Sequence, residues 1–317
     1  MYERIAANVR KTWLLIGVFI AFTALLGWFF GRLLGVGYWG LVGAVVFAIL
    51  MTWGSYFSSD KIALSMSHAK PADPEHYGQL HNIVEGLSIA AGIPKPRVYV
   101  VEDSAPNAFA TGRNPAHAAI AVTTGLLEKM KRDELEGVIA HELSHVKNRD
   151  TLVMTIAVTL VGVIILLADW MIRAMWWGGG DDDARGLGAP VAILGIVLLI
   201  TAPLVAQLMQ FAISRQREFL ADADGVFLTR YPDGLVHALE KLRDDQTVVR
   251  SNSRATAHLW IESPIARNAN EARRGTAKKQ GAWLNRMFDT HPALEDRIAA
   301  LQSSTVSGPS AQPDPEV

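Results

Sequence analysis

The sequence predicts a mainly α-helical (α+β) membrane protein: four transmembrane helices, paired as two hairpins, attached to a soluble domain of helices with a small β-sheet. Three observations predict it. Half of the 317 residues are hydrophobic and only 19% are charged, against about 25% in ordinary soluble chains. The shortage is concentrated: between Thr12 and Phe57 the only fully charged side chain is Arg32, and Thr151–Leu167 and Gly186–Ile213 carry none. Between these runs lie polar stretches with helix-capping residues and two short β-branched segments. Such a chain is neither an ordinary soluble enzyme nor disordered. A formal net charge of −1 offers no basic excess for nucleic acid. With no cysteine there is no disulfide framework, thiolate metal site or cysteine nucleophile.

A bilayer core about 30 Å thick takes roughly 20 apolar residues per helix. Trp13–Phe30 and Tyr38–Phe57 make the first hairpin, with Gly31, Gly35 and Gly37 in the turn. Thr151–Ile172 and Ala189–Ile213 make the second. Trp13, Trp28, Tyr38, Trp39, Trp53, Tyr56, Trp170, Trp176 and Trp177 stand near the ends of the runs, as interfacial aromatics do. The first run is too long for the apolar core of a signal peptide, and a second follows at once. Arg4, Arg10, Lys11, Lys61, Lys70, Lys147, Arg149, Arg215 and Arg217 flank the spans on one side; Arg32, Arg173 and Arg185 lie on the other. The positive-inside rule then predicts cytoplasmic termini and a cytoplasmic soluble domain.

The domain layout expected is a membrane hairpin over 1–57, a first soluble half over 58–150, a second hairpin over 151–213 and a second soluble half over 214–302. Residues 303–317, rich in Ser, Pro and Gly, are expected to be a disordered tail. In the first half, Glu75–Ala91 reads as a helix stopped by Gly92 and Pro94. Arg97–Val101 and Ala118–Thr123 read as strands around a turn-rich stretch. Asp133 is placed to cap a helix running through His145. The second half begins helical through about Leu228, and Glu295–Leu301 is a last short helix. Asn252–Gln280 is polar, basic towards its end, and reads as a loop or lid.

Residues 141–145 are His-Glu-Leu-Ser-His. Positions i and i+4 share a helix face, so His141 and His145 can turn ring nitrogens to one ion. Glu142 is placed to reach a water rather than the metal. A catalytic zinc has three protein ligands and an open position. Glu218 is the best third candidate, and Asp222, four residues on, can accept the free N–H of a ligating histidine. By itself a Glu-x-x-x-Asp is also what a solvated helix face looks like. Topology strengthens it: two expected spans separate His145 from Glu218, so the chain returns to the side it left.

His141-Glu-Leu-Ser-His145 just before a membrane hairpin, and Ser214-Arg-Gln-Arg-Glu218-Phe-Leu-Ala-Asp222 just after one, resemble the HtpX-type membrane zinc metalloproteases. That group is part of a wider one that includes the CAAX prenyl proteases. The resemblance extends to the two N-terminal spans, to Pro106-Asn107-Ala-Phe-Ala-Thr-Gly112, and to Thr290-His291-Pro292 with Arg297 six residues after the histidine. It implies a gluzincin-like fold and one Zn2+ per chain on His141, His145 and Glu218. It implies Glu142 as catalytic base and Asp222 as the partner of a ligating histidine. His291 and Arg297 become active-site groups near the scissile bond, and Asn107 lies beside a substrate-binding edge strand. The implied activity is hydrolysis of misfolded or damaged membrane proteins in a bacterial-type inner membrane. The implied partners are protein substrates and the lipid bilayer, not nucleic acid, with homo-oligomerisation left open.

From the residues alone, three other readings compete. A non-enzymatic scaffold would carry a structural zinc with four protein ligands, and only three good ones are offered. A transporter would carry ionisable residues in mid-membrane, and the span centres have none. A processing enzyme for lipidated peptides needs an enclosed chamber, for which four short spans give little material. The substrate strand is expected to add to Ala118–Thr123 or its neighbour.

Overall fold

The computed structural model describes residues 2–33, 35–154, 156, 215–245, 247, 259–261 and 292–306. Most of the expected second hairpin, most of Asn252–Gln280, His291 and the tail beyond Val306 lie outside the described residues.

Helix α1 spans Tyr2–Leu33 and α2 spans Tyr38–Met66. α1 outruns its apolar stretch at both ends and α2 at its C-terminal end, because neither Tyr2–Thr12 nor Ser58–Met66 contains a Gly or Pro. Two segments within them are long and apolar enough to cross a membrane, Ile5–Phe29 and Tyr38–Ser58. Their apolar surface faces outward: Tyr38 is 78% exposed and Trp39 75%. A bilayer supplies what a protein core would otherwise supply. Gly31 belongs to α1 rather than to the turn, which Gly35 and Gly37 make with positive φ. Its role is close approach. A Cβ on Gly27 would sit 2.2 Å from the Ala44 Cβ, and one on Gly40 would sit 2.5 Å from the Gly31 Cα. Small residues four apart let membrane helices touch backbone to backbone.

The polar stumps of the hairpin attach to the soluble domain. Asp60 on α2 pairs with Arg97, and the Arg113 guanidinium lies over the Phe57 ring, 5.1 Å from its centroid. Four strands follow the order β1-β2-β4-β3, with β1 Lys70–Pro71, β2 Arg97–Val101, β3 Ala108–Thr111 and β4 Ala119–Thr123. β2 and β4 are parallel; β1 and β3 are antiparallel edge strands. β3 falls in the stretch whose sequence predicts turns, because Ala-Phe-Ala-Thr has little β-branched signal. Gly112 (φ 127°) ends it, and a Cβ there would meet the His117 carbonyl oxygen at 2.3 Å.

Both sheet faces are covered. Val98, Val100, Ile120 and Val122 pack with Leu80 and Val84 of α3 (Gly78–Ala91) and with Ile139 and Leu143 further along the chain. Phe109, Ala119 and Ala121 pack with Leu15, Ile16 and Phe19 of α1 and with Leu152 and Val153. The sheet is therefore the layer between the membrane hairpin and the helical domain. Helix α3 starts three residues later than Glu75.

After α4 (Thr124–Lys129), helix α5 spans Arg132–Asn148. It starts before Asp133, and the capping acid is Glu134, which accepts from the Lys131 backbone N–H at 2.6 Å. Its flanks are closed by α6 (Arg215–Thr229) and α7 (Pro232–Asp244). The last helix, α8, spans Leu294–Val306, so residues 303–306, expected in the tail, are helical. The helix outruns Glu295–Leu301 because Ser-Ser-Thr continues it without any apolar period to mark it in the sequence.

Candidate metal centre

Helix α5 is buried almost all round: Glu134, Leu135, Val138, Ile139, His141, Glu142, Leu143, Ser144, His145 and Val146 are all buried. That depth is what a water-excluding site needs. His141 and His145 present their rings edge to face, with Nε2 atoms 3.2 Å apart. Glu218, one turn into α6, reaches between them. One carboxylate oxygen stands 3.7 Å from His141 Nε2 and the other 3.7 Å from His145 Nε2. Among the described residues these three side chains form the one cluster fit to hold a metal ion.

The donor set fits zinc. Ligand atoms about 2.0–2.1 Å from a tetrahedral ion lie about 3.3 Å from one another. The two Nε2 atoms are 3.2 Å apart and each has a different Glu218 oxygen at 3.7 Å, so one ligand atom from each residue lies within 4.8 Å of the others, close enough for small side-chain shifts to reach that edge. Two bare imidazole lone pairs do not face each other at 3.2 Å without something positive between them. In the metal-free chain that is a proton. Burial opposes a charge on His145, but the Glu218 carboxylate and the Asp150 hydrogen bond outweigh it and hold the ring up at about 9. His141 is pushed down to about 4 by burial and by the Arg297 charge beside it.

The outer nitrogens are held as well. His141 Nδ1 donates to Asp222 Oδ1 at 2.8 Å, which leaves Nε2 as the lone-pair side. Asp222 in turn receives a fork from Arg297: Nε to Oδ2 at 2.8 Å and Nη2 to Oδ1 at 2.5 Å. Burial favours a neutral Asp222, but Arg297 and His141 override it and hold the carboxyl well below the usual carboxylate range. His145 Nδ1 meets Asp150 Oδ2 at 3.2 Å. Asp150 carries no motif of its own in the sequence, where it follows Lys-Asn-Arg as one more polar residue. Arg149 adopts a left-handed conformation (φ 58°) and swings Asp150 back beneath His145. An acid five residues beyond the second histidine is the available signal.

The structure brings His141, His145, Glu218 and Asp222 together. Glu142 is buried beside them, its charge acting on His145 and Arg297. Arg297 is fully buried; besides Asp222 its guanidinium reaches the Ile261 carbonyl at 3.4 Å and the His141 ring, with Nη2 3.2 Å from Nδ1 and 3.4 Å from Nε2. That geometry suits holding Asp222, and it also sets the guanidinium beside the metal-facing nitrogen of His141. Asn107 is buried at the start of β3, its side-chain oxygen accepting from the Ala108 N–H at 3.0 Å. β4 is flanked by β2 and β3, so Ala118–Thr123 has no edge to offer; its neighbour β3 does. Ile261 already donates to the Ala108 carbonyl on that edge at 2.9 Å.

Peptidase family M48 matches residues 74–305, the span from before α3 to the end of α8. A "Protease HtpX homolog" of Thermoanaerobacter pseudethanolicus is 47% identical over 96% of this chain and 98% of its own length. One of Caldanaerobacter subterraneus is 46% identical over the same shares, and one of Streptococcus gordonii is 42% identical over 95% of this chain and 99% of its own. A crystal structure of Ste24p from S. mikatae aligns over 95% of this chain and 67% of its own, at 17% identity and a TM-score of 0.48. That last likeness is too slight to carry weight.

Proposed function

The chain belongs to peptidase family M48 and groups with the HtpX proteases, and on that premise we propose that it is an integral-membrane, zinc-dependent endopeptidase. It binds one zinc per chain on His141, His145 and Glu218. The observation that carries this is the convergence of one ligand atom from each of the three residues, all within 4.8 Å of one another in a buried site.

Zinc in such a site supplies Lewis-acid chemistry, acidifying water and polarising a carbonyl. The chain's own residues do the rest. Glu142 takes the proton of the attacking water and returns it to the leaving amine. Asp222 keeps the His141 proton on Nδ1, and Arg297 keeps Asp222 ionised. The extended substrate adds to the outer edge of β3, beyond the point where Ile261 bonds Ala108. Backbone pairing of this kind reads shape rather than sequence, which suits unfolded segments of many proteins. Asn107 fixes where β3 begins.

The substrates are misfolded or damaged membrane proteins, cut at the cytoplasmic face. The hairpin α1–α2 supports this, since it puts the site next to the bilayer, and the Lys and Arg distribution supports the cytoplasmic side. Three protein ligands with a buried carboxylate beside them favour a catalytic site over a structural one. The test is Glu142→Gln in the full-length protein. Zinc stays bound and cleavage of an unfolded model membrane protein is abolished. Wild-type-like cleavage by that variant refutes the role of Glu142, and cleavage that chelators leave untouched refutes the metal.

A further inference from the structure

The metal centre does not end at the soluble domain. Asn8 lies inside the first membrane-crossing segment, Ile5–Phe29, yet it is buried. Its Nδ2 donates to Asp150 Oδ1 at 2.7 Å and to the Asn148 carbonyl at 2.8 Å. Asp150 uses its other oxygen on His145 Nδ1 at 3.2 Å. Arg217, one residue before Glu218, stands 3.6 Å from Asp150 Oδ1. The left-handed Arg149 sits inside this loop. One amide on α1 thus clamps both ends of the turn that carries the acid under the second histidine.

We propose that Asn8 is a positioning residue for the metal site: through Asp150 it sets the orientation of the His145 ring, so that the seating of the first membrane helix tunes zinc affinity and turnover. This rests on the zinc-protease reading above. The physical basis is general. The partner of a ligating histidine fixes its tautomer and direction, and losing such a partner lowers metal affinity about 10- to 100-fold. Asn8 holds that partner with one amide proton and the Asn148 carbonyl with the other, so Oδ1 of Asp150 is fixed between Asn8 and Arg217 while Oδ2 faces His145.

The test uses full-length protein in detergent, in the Glu142→Gln background so that self-cleavage plays no part. Zinc retention against a chelator is measured for the parent, Asn8→Ala, Asn8→Asp and Asp150→Asn. Alanine favours a helix more than asparagine, so α1 stays formed. Asn8→Asp keeps the shape, removes the donor and sets a second carboxylate against Asp150. The expected order of zinc retention is parent, then Asn8→Ala at about tenfold lower, then Asn8→Asp and Asp150→Asn, lower still. Asn8→Gln, which restores a donor, recovers part of the loss. In the catalytic background Asn8→Ala lowers kcat and leaves KM unchanged, because His145 serves the reaction rather than peptide binding. If the parent binds zinc and Asn8→Ala and Asn8→Asp hold it equally well, the inference is overturned. It is overturned too if both melt earlier by equal amounts with and without zinc, since Asn8 then only anchors the helix. If the parent itself binds no zinc, the protease reading fails instead.

Discussion

Asp222→Asn probes the buried pair behind His141. The substitution keeps the shape and removes one charge. In the native site Asp222 accepts three bonds, from His141 Nδ1 at 2.8 Å and from Arg297 at 2.8 and 2.5 Å. The amide accepts with one oxygen only, and its NH2 group confronts either the His141 Nδ1–H or the guanidinium. Arg297 is left fully buried with its main counter-charge gone. Breaking one side of such a pair costs about 3–5 kcal/mol. Zinc affinity falls about 10- to 100-fold because the His141 tautomer is no longer fixed, a further loss of about 1.4–2.7 kcal/mol in the metal-bound state. The assay is thermal unfolding of the full-length protein in detergent, with and without zinc, alongside chelator competition. The expected result is destabilisation of the metal-free protein and a larger one with zinc. A metal-free variant within about 0.5 kcal/mol of the parent, the ordinary scatter of surface changes, would refute the buried-pair reasoning.

The His145 ring binds a proton up to about pH 9 in the metal-free chain and must give it up to ligate. Zinc uptake at pH 7.5 should therefore release close to one proton per chain, read by comparing binding heats in buffers of different ionisation enthalpy; uptake without proton release contradicts it. The same shift has a sign for stability. His145 has its folded value raised above 6.5, so the stability it lends the metal-free protein is complete below that value and drains away as pH rises to about 9. His141, lowered to about 4, works the other way: the folded chain loses stability as pH falls from 6.5 to 4. The metal-free melting temperature should thus have a maximum near neutrality, and a flat profile from about pH 4 to about pH 9 counts against both assignments. Gly225→Val should weaken the site without touching a ligand. A Cβ there already comes within 3.1 Å of the His141 backbone nitrogen, so α6 must move away from α5, at a cost of about 1–3 kcal/mol and with loss of zinc; normal zinc content in this variant would show that the helices tolerate separation.

The parts of the fold readable in the sequence are those with a strong local signal. Apolar runs mark α1 and α2, β-branched residues mark β2 and β4, and the i, i+4 spacings of His141 with His145 and of Glu218 with Asp222 mark the metal face. β3 escapes because its small residues are held by pairing with β4 and by packing, not by propensity. The buried setting of α5 escapes because Glu134 and the histidines read as polar, although Lys241 holds Glu134 and Asp222 and Glu218 stand against the histidines. Asp150 and Asn8 escape for one reason. Their partnership spans more than 140 residues and turns on a left-handed Arg149, which nothing in Lys-Asn-Arg-Asp announces. Arg297 is found by its motif, but only the structure shows that it faces Asp222.

The proposed enzyme holds one zinc ion between α5 and α6. Metal content of the full-length protein and two variants decides whether it does. The expected values are one zinc per chain in the parent, one in Glu142→Gln and essentially none in Glu218→Ala. Zinc retained by a folded Glu218→Ala, or lost from Glu142→Gln, would contradict it.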